Sequence, residues 1–138
     1  MRRLQAFLPV MFALAAGCGE GSNIVPVSGV LTYKGKPVTN AFVDFLPEHG
    51  RPSWGQTDAE GRFTLNYDRE HNGALLGKHT VAVRMRPTSA AEQEAIMMGK
   101  EVPLSKDLAE FFEKYSADKT TKEVVIERNT KEIKLDLN

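Results

Sequence analysis

The chain has 138 residues, room for one domain with a single core and not for two. Hydrophobic side chains make up 41% and charged ones 26%, a globular balance that excludes a disordered chain. Lysine plus arginine equals aspartate plus glutamate at 18 each, so there is no basic field to hold nucleic acid, which is excluded as a partner.

The first element in chain order is a leader. Met1, Arg2 and Arg3 form a short basic start, and Leu4 to Ala16 is an apolar run interrupted by Gln5 and Pro9. Such a run suits the apolar region of an export signal, about 7–15 residues, and falls short of the ~20 that cross a bilayer. Ala15, Ala16 and Gly17 then precede Cys18, the one cysteine of the chain. Small residues let a chain lie extended in a peptidase groove, and a thiol is the nucleophile that can take a lipid.

This junction resembles the lipobox of bacterial lipoproteins. That family usually has Leu three residues before the cysteine; here Ala15 stands there, with Leu14 one residue earlier. The resemblance implies that residues 1–17 are a cleaved signal peptide and that Cys18 carries a diacylglycerol. Residues 18–25 are then the lipidated start and a Gly- and Ser-bearing tether. Removing residues 1–17 takes Arg2 and Arg3 away and leaves 16 basic against 18 acidic side chains, a net −2. The implied location is the cell envelope, held to the membrane through the lipid. Gly19 after the cysteine favours the outer membrane, by analogy with lipoprotein sorting elsewhere.

From residue 26 the pattern is one of strands and turns. Val27, Leu31 and Tyr33 lie at even spacing and define one apolar strand face, which Lys34 to Pro37 end. Ala41 to Leu46 is a second strand, with Ala41, Val43 and Phe45 on the core face and Phe42, Asp44 and Leu46 opposite. A third runs from Trp54 to Thr57. The turn Asp58 to Gly61 leads into Phe63, Leu65 and Tyr67, alternating with polar residues, and reads as a hairpin. Val81, Val83 and Met85 mark a fifth strand. Val124 to Arg128 and Ile133 to Leu137 read as a last pair joined by Asn129, Thr130 and Lys131. Seven short strands separated by turns predict an antiparallel sandwich.

Residues 87–122 break the alternation and predict a short helical insertion. Ser89 and Glu92 have capping-box spacing. Leu108, Phe111, Phe112 and Tyr115 fall at i, i+3, i+4 and i+7, one helical stripe. The stripe is expected to fold over the outer sheet face and cover Phe42 or Leu46. The alternative is an exposed partner-binding surface at Phe111 and Phe112.

The order of these signals resembles the carboxypeptidase regulatory-like domain. The matching segments are VSGVLTYKGKPV (27–38), AFVDFLP (41–47), TDAEGRF (57–63) and GKHTV (77–81). More closely they resemble single-domain envelope lipoproteins of planctomycete-type bacteria, which share the stretch from Lys114 and Tyr115 to Thr120 and Thr121. The resemblance implies an all-β, seven-stranded, antiparallel Greek-key sandwich of transthyretin type over residues 26–138, and no established activity.

Spacings for catalysis are absent from the sequence. His49, His71 and His79 are scattered, and none has His or Glu three or four residues further on, as a zinc site would. Asp58 and Glu60 fit a turn better than a calcium loop, which needs further oxygen ligands. No Gly-x-Ser-x-Gly elbow occurs. The expectation is therefore a non-enzymatic module with no catalytic residue, metal or cofactor, either structural or binding an envelope protein. The alternative is a carbohydrate-binding lipoprotein using Trp54, the single tryptophan. A divergent hydrolase is the remote third reading.

Overall fold

The computed structural model describes residues 23–138. The leader, Cys18 and most of the tether lie outside them. Ten strand segments and two helices make up the described chain, most of it in antiparallel sheets.

The chain enters earlier than residue 26. Ile24–Val25 is a strand, β1, and Val25 is buried, so the end of the expected tether belongs to the folded unit. Strand β2, Ser28–Tyr33, buries Leu31 and continues the apolar face begun at Val27. A turn at Lys34 and Gly35, both with positive φ, leads to the two-residue β3, Lys36–Pro37. Strand β4, Ala41–Pro47, points Ala41, Val43 and Phe45 inward, all fully buried, and leaves Phe42, Asp44 and Leu46 half-buried on the other face. Strands β5, Ser53–Gln56, and β6, Arg62–Thr64, follow on either side of the Asp58 turn. Next come β7, Ala74–Leu75, and the nine-residue β8, Gly77–Met85. The helices are α1, Ala90–Met97, and α2, Lys106–Lys114; β9, Glu123–Ile126, and β10, Glu132–Leu137, close the chain.

One sheet has the order β5-β4-β8-β9 and is antiparallel throughout. In the other, β2 pairs with β10 on one side and with β3 and β6 on the opposite side. A small ladder joins β1 to β7. Buried side chains of both large sheets form one core, in which the Phe45 and Phe63 rings lie 6.3 Å apart. Each such burial contributes about 1.5–3 kcal/mol.

Three pairings differ from the sequence expectation. Strands β10 and β2 run parallel, from Glu132 beside Ser28 to Leu137 beside Tyr33. Strands β9 and β10 are not a hairpin; they belong to different sheets. The chain crosses between the sheets at a turn where Thr130 donates its N–H to the Glu127 carbonyl at 3.0 Å. Strands β5 and β6 form no ladder with each other after the Asp58 turn; β6 finds its ladder on β2, and a bridge from Trp54 to Asn66 is what remains of the hairpin. Alternation reveals a strand's faces, not its neighbour, so all three partners were hidden.

The insertion falls between β8 and β9, as the sequence predicts. Helix α1 starts at Ser89, whose hydroxyl accepts the Glu92 N–H at 3.2 Å. The Glu92 carboxylate reaches back chiefly to the N–H and hydroxyl of Thr88, with a weaker contribution from the Ser89 N–H. Helix α1 buries none of its residues, whereas α2 buries Phe111 completely. Phe111 does not reach the outer face of β4. It enters the core where β2 and β10 finish, against Tyr33 at 4.7 Å and Tyr115 at 5.2 Å between ring centres. The backbone sets this position: the Tyr115 carbonyl accepts the N–H of Val83 in β8, and the Lys122 carbonyl that of Val81. The insertion is thereby stitched along the free edge of β8, and α2 caps one end of the sandwich.

Candidate functional site

The two sheets meet along one margin. Trp54 of β5 and Asn66, just beyond β6, exchange two backbone hydrogen bonds, at 2.8 and 3.0 Å. The join requires Gly55. A Cβ there would lie 2.8 Å from the Thr64 carbonyl oxygen, too close for any other residue without movement. With Gly55 facing inward, its neighbours Trp54 and Gln56 project outward by strand alternation. The result is a shallow open cleft of about 660 Å³ across the outer surfaces of β2, β5 and β6. That size lies within the range of small-molecule sites.

Trp54 is the aromatic wall of the cleft and is 45% exposed. Its far side is braced by Phe42, edge-on at 6.2 Å between ring centres. Phe42 is in turn covered by the Arg84 guanidinium, 4.8 Å from its ring centre, which also clamps the Asp44 carboxylate. The outer face of β4 is thus shielded around Phe42 by Trp54 and Arg84. The Asp44 carboxylate holds the Arg84 pKa above its ordinary value.

The remaining walls are polar. Asn66 donates its amide to the carbonyls of Trp54 and Thr64, both at 3.3 Å, which leaves its own amide oxygen open. Gln56, Thr64 and Glu132 line the cleft with side chains that make no hydrogen bond to other described residues. At one end stands the Asp58 turn, closed by Gly61 at φ 75°. Asp58 Oδ1 accepts the N–H of Arg62 at 2.8 Å and that of Glu60 at 2.9 Å. These bonds, the Arg62 N–H foremost, and the Arg62 side chain hold the Asp58 carboxyl below its usual range. Arg62 answers both Asp58 and Glu60 at 3.4 Å. The charges of the turn are therefore used within the turn.

Of the sequence-predicted surface residues, Trp54 is where a ligand could reach it. Phe111 is fully buried and is no surface residue. Phe112 is half-buried, edge-on to Phe111 at 5.3 Å. Cys18 lies outside the described residues. Sequence reasoning missed the polar partners of Trp54, because the parallel β10–β2 pairing and the β5–β6 margin bring them together from four segments. Among the described residues, no three His, Cys, Asp or Glu side chains group as metal ligands would. His79 is buried in the core against Phe45, with Nε2 2.7 Å from the Leu75 carbonyl.

A separate apolar surface lies on α1 and the loop after it, where Ile96, Met97 and Met98 are exposed. Strand β8 begins beside β7 and β1 and ends at the insertion. Its nine residues, at about 3.3 Å each, place this surface at the end opposite the chain's entry. Comparison with known protein families, curated proteins and solved structures finds no match for this chain.

Proposed function

We propose that this chain is a non-catalytic, lipid-anchored module of the bacterial cell envelope, acting as a structural or binding unit. Its sandwich is of the carboxypeptidase regulatory-like, seven-stranded Greek-key kind. The observation that carries the reading is the junction at Cys18: a basic start, an apolar run and small residues before a single cysteine. The first described strand begins only six residues later, at Ile24. Six residues reach at most about 20 Å, so the anchored domain sits close to the lipid surface. Gly19 favours the outer membrane.

The state of the titratable groups supports binding over chemistry. Asp58 and Arg62 hold a turn, and Asp44 and Arg84 hold the aromatic brace. A protein partner is the reading favoured by Ile96, Met97 and Met98, exposed at the end opposite the first described strand.

Metabolic labelling with a fatty-acid probe tests the anchor. The wild-type protein takes up label and fractionates with membranes, and Cys18→Ser takes up none. An unlabelled, soluble wild-type protein overturns the reading.

A further inference from the structure

We infer that the Trp54 cleft binds a neutral oligosaccharide, with a pyranose ring stacked on the indole. This rests on the reading of the chain as a binding module of the envelope and adds a ligand site distinct from the apolar surface at Ile96, Met97 and Met98. A sugar ring has an apolar face of C–H groups and a rim of hydroxyls that both donate and accept. Its site needs a flat aromatic surface held still, with amide, hydroxyl and carboxylate groups around it.

The cleft supplies these together. Trp54 is exposed on the cleft side and fixed on the other by Phe42. Its indole N–H makes no bond to other described residues. The Gln56 amide, the Thr64 hydroxyl and the Asn66 amide oxygen stand on the same surface with hydrogen-bonding capacity left over. All sit on strands or on the bridge between them, so little ordering is needed when a ligand arrives.

The charges select against other ligands. Arg62 is the one cation lining the cleft, and Asp58 and Glu60 already compensate it. Glu132 adds a negative charge with no ion-pair partner among the described residues. A phosphate, a nucleic acid or an acidic glycan would meet net repulsion, whereas a neutral saccharide would not. The cleft, about 660 Å³, is open to solvent, so the sugar chain can continue beyond the stacked ring, as binding along a polymer requires.

Trp54 is the single tryptophan of the chain, so its fluorescence reports this site alone. The purified full chain, in a non-glycosidic detergent, is titrated with cellotetraose and chitotetraose, and with tetragalacturonate as the anionic comparison. A saturable change in emission with a neutral tetrasaccharide, and none with tetragalacturonate, is expected. By calorimetry, Trp54→Ala then weakens binding by about tenfold or more, Trp54→Phe by less, and Gln56→Ala measurably, with each variant still showing a cooperative melt. No response to either neutral ligand up to millimolar concentration overturns the inference, as does preference for tetragalacturonate or undiminished binding by a folded Trp54→Ala. The anchor reading fails separately, by loss of the fatty-acid label.

Discussion

Two aromatic clusters occupy opposite sides of the protein wall. Tyr33, Phe111, Phe112 and Tyr115 gather inside the end of the sandwich, where the Tyr115 hydroxyl also donates to the Asn138 carbonyl at 2.9 Å. Trp54 and Phe42 meet outside, on the β5-β4-β8-β9 sheet, under an Arg84–Asp44 pair. Both clusters carry large apolar area, yet one is consumed by folding and the other remains available. The difference lies in what each element packs against. Helix α2 has no sheet ladder of its own, so its stripe must enter the core to hold it. Strand β5 is held by backbone bonds to β4 and by the Asn66 bridge, so its outward residue is free of that duty.

The largest expected effect is on the inner cluster. Phe111→Ala should lower the unfolding free energy by about 3–5 kcal/mol in urea denaturation, from lost burial and the cavity left behind. A loss below 1 kcal/mol would erase the distinction between the clusters. Next is the margin between the sheets. Gly55→Ala places a methyl 2.8 Å from the Thr64 carbonyl. The overpacking should cost about 1–3 kcal/mol and shift the Trp54 emission, since β5 and β6 must part. Without that shift, the cleft would not depend on their close approach.

The legibility of the two clusters in the sequence was unequal. Alternation located β2, β4, β6, β8 and β10 and the inward set Ala41, Val43 and Phe45. Trp54 stood out as the single tryptophan, and its outward direction came only with the inward Gly55. The two-residue strands β1, β3 and β7 are too short to carry a period. The helical stripe announced that Phe111 needed a partner surface, but not which one. The choice of Tyr33 over Phe42 follows from the bonds of Tyr115 and Lys122 to β8, which join residues far apart in the chain.

A smaller effect sharpens the outer side. Trp54→Ala removes one edge-on ring contact from a residue already 45% exposed. Its cost should be about 1 kcal/mol, well below that of Phe111→Ala, while ligand binding weakens about tenfold or more. A cost equal to that of Phe111→Ala would make Trp54 part of the core. The smallest effect concerns the turn beside the cleft. The carboxyl of Asp58 is held below 3.8, chiefly by the Arg62 N–H. A depressed carboxylate stabilises the fold above its ordinary value, and that contribution is lost as the pH falls through its folded-state value. The urea midpoint should therefore decline below pH 3.8. Asp58→Asn should decline less steeply over the same interval; equal slopes would show that the turn does not depend on the charge.

The difference between an inner and an outer cluster matters to a cell only if the domain is displayed where the implied anchor puts it. Intact-mass spectrometry of the protein extracted from membranes tests that claim most directly. The predicted mass is that of a chain starting at Cys18 with a diacylglycerol attached. A chain that begins elsewhere, or an unmodified Cys18, would contradict it.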